Sequence, residues 1–339
     1  MEKKIRIAID AMSGENSPNK VIEGIKMSIT NNKNSTFILY GKKDIINIEL
    51  KKYPSITSFC EIVDTHGIIS DEDSALTAAK KGKDSSMWQA IQSQKDDKAD
   101  ITLSAGNTGA LLVMSKLILR TLEGVDKPAL AGLWPNKNGI HIVLDLGANI
   151  VCSEKNLIDF SEMGSALCKS LLLSSKPKVA LLNVGLEEHK GNEVLKKTFD
   201  FFKNNPSIDF DFCGYIEGNH MMDGDIDVIV TDGFTGNIAL KTAEGTANFI
   251  SSNIKKSLNT FSVLFSYNSI KKFKEKLDPR KYNGAILLGL KGPVVKSHGS
   301  IDAVGFAHSI EMCKKIVEGS LVEKIKSHLL NVDEKLSQL

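Results

Sequence analysis

Two stretches of this 339-residue chain repeat one pattern. Ser104-Ala105-Gly106-Asn107-Thr108-Gly109-Ala110 follows an apolar run at 101–103, and Thr231-Asp232-Gly233-Phe234-Thr235-Gly236-Asn237 follows another at 228–230. Each reads as a strand, a G-x-T-G turn and an amphipathic helix. Glycine lets the backbone approach a ligand, threonine adds a hydroxyl, and a helix N-terminus offers free N–H groups. That combination suits an oxyanion such as phosphate. One copy alone reads equally well as a tight turn with its threonine capping the helix. The pair predicts a cleft lined from both sides, by Ser104, Gly106, Asn107, Thr108 and Gly109 and by Asp232, Gly233, Thr235 and Gly236. Asn237 follows directly and offers an amide N–H to an oxyanion.

Other polar residues stand at ends of apolar runs. Asp10 closes the first strand, as a site carboxylate or as a brace for the loop after it. Asp145-Leu146-Gly147-Ala148-Asn149 closes another, with Asn149 a further polar contact. The loop 183–193 is long and charged. Its Lys190 is a candidate catalytic cation, although a lysine among glutamates also makes a surface ion pair. His298-Gly299-Ser300 forms a third glycine turn, with His298 a candidate polar contact. In 83–87, Asp84 or Ser85 is placed to cap the next helix. The dinucleotide fingerprint and the P-loop are absent, and so is the G-x-S-x-G elbow of serine hydrolases. The histidines lack ligand spacing, so no metal is expected.

These residues need a scaffold, and the pattern supplies one. Short β-branched runs at 5–9, 37–40, 61–63, 101–103, 142–144, 179–184 and 228–230 read as strands. Helical patterns at 20–29, 110–119, 156–172, 193–202 and 238–254 follow most of them. Strands that are apolar throughout are covered on both faces. The alternation predicts an α/β fold with a doubly wound, mostly parallel sheet, whose strand C-termini carry the site. One catalytic domain is expected over 1–330, with a helical hairpin excursion at 251–281 and a tail at 331–339.

Composition narrows the class further. Net charge is +2 and aromatics make up 6%, which excludes a nucleic-acid platform. Five cysteines without a C-x-x-C pair read as reduced cytosolic thiols. The first ten residues read as a strand rather than a signal peptide, and no window is long and apolar enough to span a membrane. Among 43 basic residues only Arg6, Arg120 and Arg280 are arginine, as the lysine bias of an AT-rich genome would give; the second reading is that a surviving arginine is kept for its planar fork. The excursion carries Phe261, Val263, Leu264 and Phe265 between Lys255-Lys256 and Lys271, Lys272 and Lys274. An apolar tip flanked by lysines fits a dimer contact, a loop folded on the core, or the surface of an anionic membrane.

The motifs also occur in a family order. DAM-S-G-E at 10–15, KDSSM at 83–87, SAGNTGA at 104–110, KPALA at 127–131 and LDLGAN at 144–149 come first. LLNVG…KGNE at 181–193, DGFTGNIALK at 232–241 and YNGAILLGLKG…HGS at 282–300 follow. Together they closely resemble the bacterial phosphate acyltransferases of phospholipid synthesis, which move an acyl chain from acyl carrier protein to inorganic phosphate. Some positions depart from that pattern. Ser13 stands where a second glycine is usual, Glu15 where aspartate is usual, and Val151 replaces an acidic residue.

The resemblance implies an αβα sandwich similar to phosphotransacetylases and isocitrate-type dehydrogenases. It implies a homodimer in the cytoplasm that meets the inner membrane peripherally and hands acyl phosphate to a membrane acyltransferase. It implies neither cofactor nor metal, and no nucleic-acid partner. Phosphate is then the nucleophile, held at Ser104–Thr108, while Lys190 and Asn237 serve the developing oxyanion and the departing thiol. Acyl carrier protein is acidic, so a lysine patch is expected to receive it. A phosphotransacetylase using acyl-CoA is the nearest alternative, and a non-catalytic membrane scaffold is the alternative of another class.

Overall fold

The computed structural model describes residues 4–31, 34–70, 72–257 and 278–336. It opens with β1 (Ile5–Asp10), α1 (Asn19–Asn31), β2 (Ser35–Gly41), α2 (Lys43–Leu50), β3 (Cys60–Asp64), α3 (Ala75–Lys81) and α4 (Ser86–Lys95). Then come β4 (Ile101–Ser104), α5 (Thr108–Leu119), β5 (Ala129–Pro135), β6 (Ile140–Leu144), α6 (Glu154–Ser170), β7 (Lys178–Asn183) and α7 (Glu193–Asn204). The chain continues through β8 (Asp211–Glu217), β9 (Val228–Val230), α8 (Gly233–Ser257), β10 (Ala285–Leu288) and β11 (Val294–Lys296). Two helices close it, α9 (Ala303–Glu318) and α10 (Leu321–Leu336). The last runs unbroken across the expected boundary at 330. The excursion residues Phe261, Val263, Leu264 and Phe265, with Lys271, Lys272 and Lys274, lie outside the described residues.

All the strands join one 11-stranded sheet in the order β3-β2-β1-β4-β11-β10-β5-β6-β9-β7-β8. Alternate side chains of each strand enter different cores, as the two-residue period requires. In β6, Ile142 and Leu144 pack beneath α1, α6, α7, α9 and α10. Val143 packs on the other face, with α3, α4, α5 and part of α8. This is the doubly wound αβα sandwich that the alternation predicts.

The pairing has one feature that the pattern does not show. β1, β2, β3, β4 and β11 run parallel, as do β6, β9, β7 and β8. Between these sets lie three successive antiparallel pairings, β11–β10, β10–β5 and β5–β6. Three reversals leave the two parallel sets pointing opposite ways, so their C-terminal ends emerge at opposite edges of the sheet.

The strands responsible, β5 and β10, are not among the runs read as strands above, and neither is edge strand β8. β5 reads Ala-Leu-Ala-Gly-Leu-Trp-Pro, a sequence of weak intrinsic strand preference that its neighbours hold in the sheet.

Two of the arginines use their forks. Arg6 Nε and Nη2 reach the two oxygens of Asp100 at 3.3 and 2.8 Å. Arg280 clasps Asp278 through Nε and Nη2, at 2.8 and 2.6 Å. At the other end of the chain, α10 is tied to α6 through His328. Its Nε2 lies 3.1 Å from Asp209, which also accepts from Lys169 Nζ at 2.8 Å.

Candidate active site

The residues singled out above fall into two clusters. The first lies at the ends of β1, β4 and β11. Asp10 and Ser104 are adjacent across the β1–β4 ladder, and both are fully buried. Ser104 Oγ donates to Asp10 Oδ2 at 2.7 Å and accepts from Gly106 N at 3.1 Å. Asp10 therefore braces the loop, and the Ser104 hydroxyl is used inside the protein. Gly106 has no room for a side chain, because a Cβ there would lie 2.6 Å from Met87 Cε and 2.8 Å from Ser13 Oγ. Asn107, not Thr108, caps α5: its Oδ1 accepts from Ala110 N at 3.0 Å, while Nδ2 donates to Asp73 O at 3.0 Å. The N–H groups of Thr108 and Gly109 have no acceptor within the helix. Thr108 is exposed.

His298 joins this cluster from β11. Its N–H donates to Asn283 Oδ1 at 2.9 Å, and its Nδ1 lies 3.0 Å from Ser300 Oγ. Burial, then the Lys296 charge, holds the imidazole below its ordinary value, so it is neutral at neutral pH. Asn283 is itself buried, with Nδ2 bonded to Ser297 Oγ, Gly305 O and Ser309 Oγ. It fixes the glycine turn that presents His298. Nearby, Ser85 caps α4, accepting from Trp88 N at 3.2 Å.

The second cluster lies at the ends of β6, β9 and β7. Asp145 is its centre. The carboxylate accepts from Leu130 N, Gly147 N and Ala148 N on one oxygen and from Asn149 N and Nδ2 on the other. Burial pushes its pKa up, and these hydrogen bonds oppose that rise. Asn149 Nδ2 also reaches Pro128 O at 2.7 Å, so its side chain is committed to the loop. Gly233 and Gly236 pack directly on this loop. A Cβ on Gly233 would lie 2.6 Å from Asn149 O, and one on Gly236 would strike Asp145 O.

The backbone of the second turn is also engaged. Gly233 N donates to Asn149 O, and Gly236 N to Asp232 O. Thr235 donates both its N–H (2.9 Å) and its hydroxyl (2.8 Å) to Asp232. The glycines of this turn thus allow two loops to pack, and Asp232 and Thr235 close the start of α8. Asn237 Nδ2 donates to Leu146 O at 3.2 Å.

Lys190 belongs to this second edge. Asn183 Nδ2 holds the carbonyls of Gly185 and Lys190 at 3.1 and 3.2 Å and so shapes the loop. Lys190 Nζ pairs with Glu187 at 3.0 Å and remains 42% exposed, open to a reacting group. Cys152, close to Asp145, is pushed up to about 11 by burial, and its thiol is a poor nucleophile.

The two clusters are therefore not one spot within a chain. β4 and β6 are four strand spacings apart, roughly 19 Å, and their ends face opposite edges. α8 runs between the clusters. It starts at Gly233, and the charges of Glu244 and Lys241 two to three turns on are felt at His298. Two organising residues, Asp145 and Asn283, lie inside motifs quoted above without being marked as site residues. Lys20, described below, was missed altogether. A lysine in the first turn of an amphipathic helix, where the dipole disfavours it, was its only signal.

The fold is similar to that of solved phosphotransacylases. A branched-chain phosphotransacylase from Enterococcus faecalis V583 matches with a TM-score of 0.59 at 15% identity, over 92% of this chain and 99% of its own. A phosphotransacetylase from Streptococcus pyogenes matches at 0.61 and 16%, over 95% of each chain. Sequence carries the relationship further. The model of the family described as "Fatty acid synthesis protein" matches residues 5–324, and the chain belongs to that family. A relative from Pelagibacter ubique (strain HTCC1062), called Phosphate acyltransferase, is 54% identical over 334 residues, covering 97% of this chain and all of its own.

Proposed function

We propose that this chain transfers a fatty acyl group from the thioester of acyl carrier protein to inorganic phosphate, giving acyl phosphate and the free carrier thiol. The observation that carries this reading is the 54% identity, end to end, with a relative called Phosphate acyltransferase. A phosphate oxygen attacks the thioester carbon, the tetrahedral oxyanion collapses, and the thiolate departs and takes up a proton. No enzyme nucleophile is needed. The protein's tasks are to orient a phosphate dianion and to stabilise the oxyanion.

In this reading phosphate binds at the first cluster, against Gly106–Gly109 and the start of α5. Lys190 neutralises the developing charge or protonates the thiolate, and Asn237 donates to the carbonyl oxygen. Since these groups lie at opposite sheet edges of one chain, the reading includes a homodimer in which the second cluster of one copy faces the first cluster of the other. Peripheral attachment to the inner face of the membrane, through the apolar tip at 261–265, belongs to the same proposal. Among the described residues no helix is long and apolar enough to cross a membrane.

The test is the reverse reaction, with acyl phosphate as donor and acyl carrier protein and coenzyme A as competing acceptors. Preferential acylation of the carrier is the expected result. Preference for coenzyme A makes the chain a phosphotransacetylase. Transfer to neither leaves a membrane scaffold as the better account.

A further inference from the structure

The first cluster holds a cation that its motif does not. Lys20 lies in the first turn of α1, and its side chain is buried, with the residue only 3% exposed. Its Nζ donates to Gly299 O at 2.5 Å, a carbonyl that also accepts from Glu15 N. A Cβ on Gly14, at φ +81°, would lie 2.6 Å from that Nζ, 2.9 Å from Gly299 O and 3.1 Å from Ala105 Cβ. Glycine is required there on both counts, backbone angle and space. The ammonium therefore sits where the loops after β1, β4 and β11 converge.

A second observation points to the same place. Ser13 is also 3% exposed, and its Oγ is buried without a hydrogen-bond partner among the described residues. Buried hydroxyls in folded proteins are nearly always partnered, so one left open in the residue next to Gly14, whose Cα borders the Lys20 ammonium, invites a ligand. This Oγ lies 2.8 Å from the point where a Gly106 Cβ would be. It faces the turn that leads into α5. The neighbouring carboxylate does not compete for that side, since Asp10 is turned to the Ser104 hydroxyl and to Met12 N.

Resting on the phosphate acyltransferase reading, we propose that Lys20 and Ser13 complete the phosphate site of the first cluster. Lys20 supplies the fixed positive charge, and the Ser13 hydroxyl donates to a phosphate oxygen. The N–H groups of Thr108 and Gly109 supply the helix end that an anion favours. A charge-assisted contact of this kind is stronger than a neutral one, so Lys20 contributes more than Ser13. Ser13 stands where the family resemblance leads one to expect glycine, which makes its contact a feature of this chain.

The experiment compares Lys20→Met, Lys20→Arg and Ser13→Ala with the unaltered protein. It reads KM for inorganic phosphate, kcat, Tm, and phosphate binding by calorimetry. Lys20→Met is expected to raise the phosphate KM about tenfold or more, with a smaller change in the KM for the acyl donor. Lys20→Arg is expected to recover much of that loss. Ser13→Ala removes a hydroxyl with no protein partner, so Tm should hold while the phosphate KM rises a few-fold. Lower Tm values with an unchanged phosphate KM would make both residues purely structural and overturn the inference. Should Lys20→Met fail to fold, Ser13→Ala decides by the same criterion. An unaltered protein without acyl transfer refutes the functional reading alone, and loss of phosphate binding in the two variants still decides the inference.

Discussion

The strand–G-x-T-G–helix unit occurs twice in this chain, and the two copies do different physical work. In the first, a buried Asp10–Ser104 pair anchors the turn from below, and Asn107 both caps α5 and ties down the segment at 70–73. Its glycine makes room for Ser13 and Met87, beside a buried lysine. In the second, the glycines make room for the Asp145 loop, the N–H groups of Gly233, Thr235 and Gly236 are spent inside the protein, and the cap is an exposed Asp232–Thr235 pair. Similar sequence therefore yields a turn whose leading helix N–H groups at Thr108 and Gly109 have no acceptor within the helix in one place, and a closed loop-to-loop joint in the other. What separates them is what the neighbouring loops bring. β1 and β11 bring Ser13, Lys20 and His298, whereas β6 brings a carboxylate that takes up N–H groups.

The largest expected contrast is in activity. Lys190→Ala should cut turnover by about 10²–10³, the scale of losing one transition-state donor, with Tm nearly unchanged because its ion-pair partner among the described residues is an exposed Glu187. Near-normal turnover would leave Lys190 without a chemical role. If the clusters meet across a dimer, mixing this variant with an inactive Gly106→Leu chain should restore activity. No recovery on mixing would place the whole reaction within one chain.

Stability should separate the clusters next. Asp145→Ala strands five N–H groups, and a loss of about 3–5 kcal/mol in urea unfolding is expected. Asp10→Ala strands two donors, and about 1–2 kcal/mol is expected. Equal losses would mean that the two carboxylates are equivalent braces, contrary to the geometry.

The strand leading into the second cluster should also carry a pH dependence. His141 of β6 is fully buried, and burial pushes its imidazole down to about 4. The unfolded chain binds the proton more readily, near pH 6.5. Stability is therefore complete above that value and is lost as pH falls toward 4, by about 3 kcal/mol. Urea unfolding at pH 7.5 and 4.5 checks this, and His141→Gln should flatten the slope. An unaltered slope in the variant assigns it to other groups.

The smallest contrast lies in the caps. Asn107→Ala should cost about 1–2 kcal/mol, since a tether is lost with the cap, and Asp232→Ala nearer 0.5–1 kcal/mol. The reverse order in thermal unfolding would make the second turn the tighter one.

Much of this molecule was legible in its residues. Seven of the strands, the helices that follow them and the covered sheet came from local alternation, because burial on two faces demands apolar runs whatever the connections. The glycine turns stood where they were expected, at strand ends. The reversal of the sheet was not legible. It depends on β5 and β10, whose Gly-, Ala- and Leu-rich sequences carry no strand signal of their own and pair only because their neighbours leave hydrogen bonds to complete. The identity of each turn's partners was hidden for the same reason. Lys20 and Gly106 are 86 positions apart in sequence. Sequence by itself determined most of the elements, the family and the glycine turns at the strand ends. Tertiary structure alone decided which of them share an edge, because strand direction and loop packing are long-range choices that no local spacing encodes.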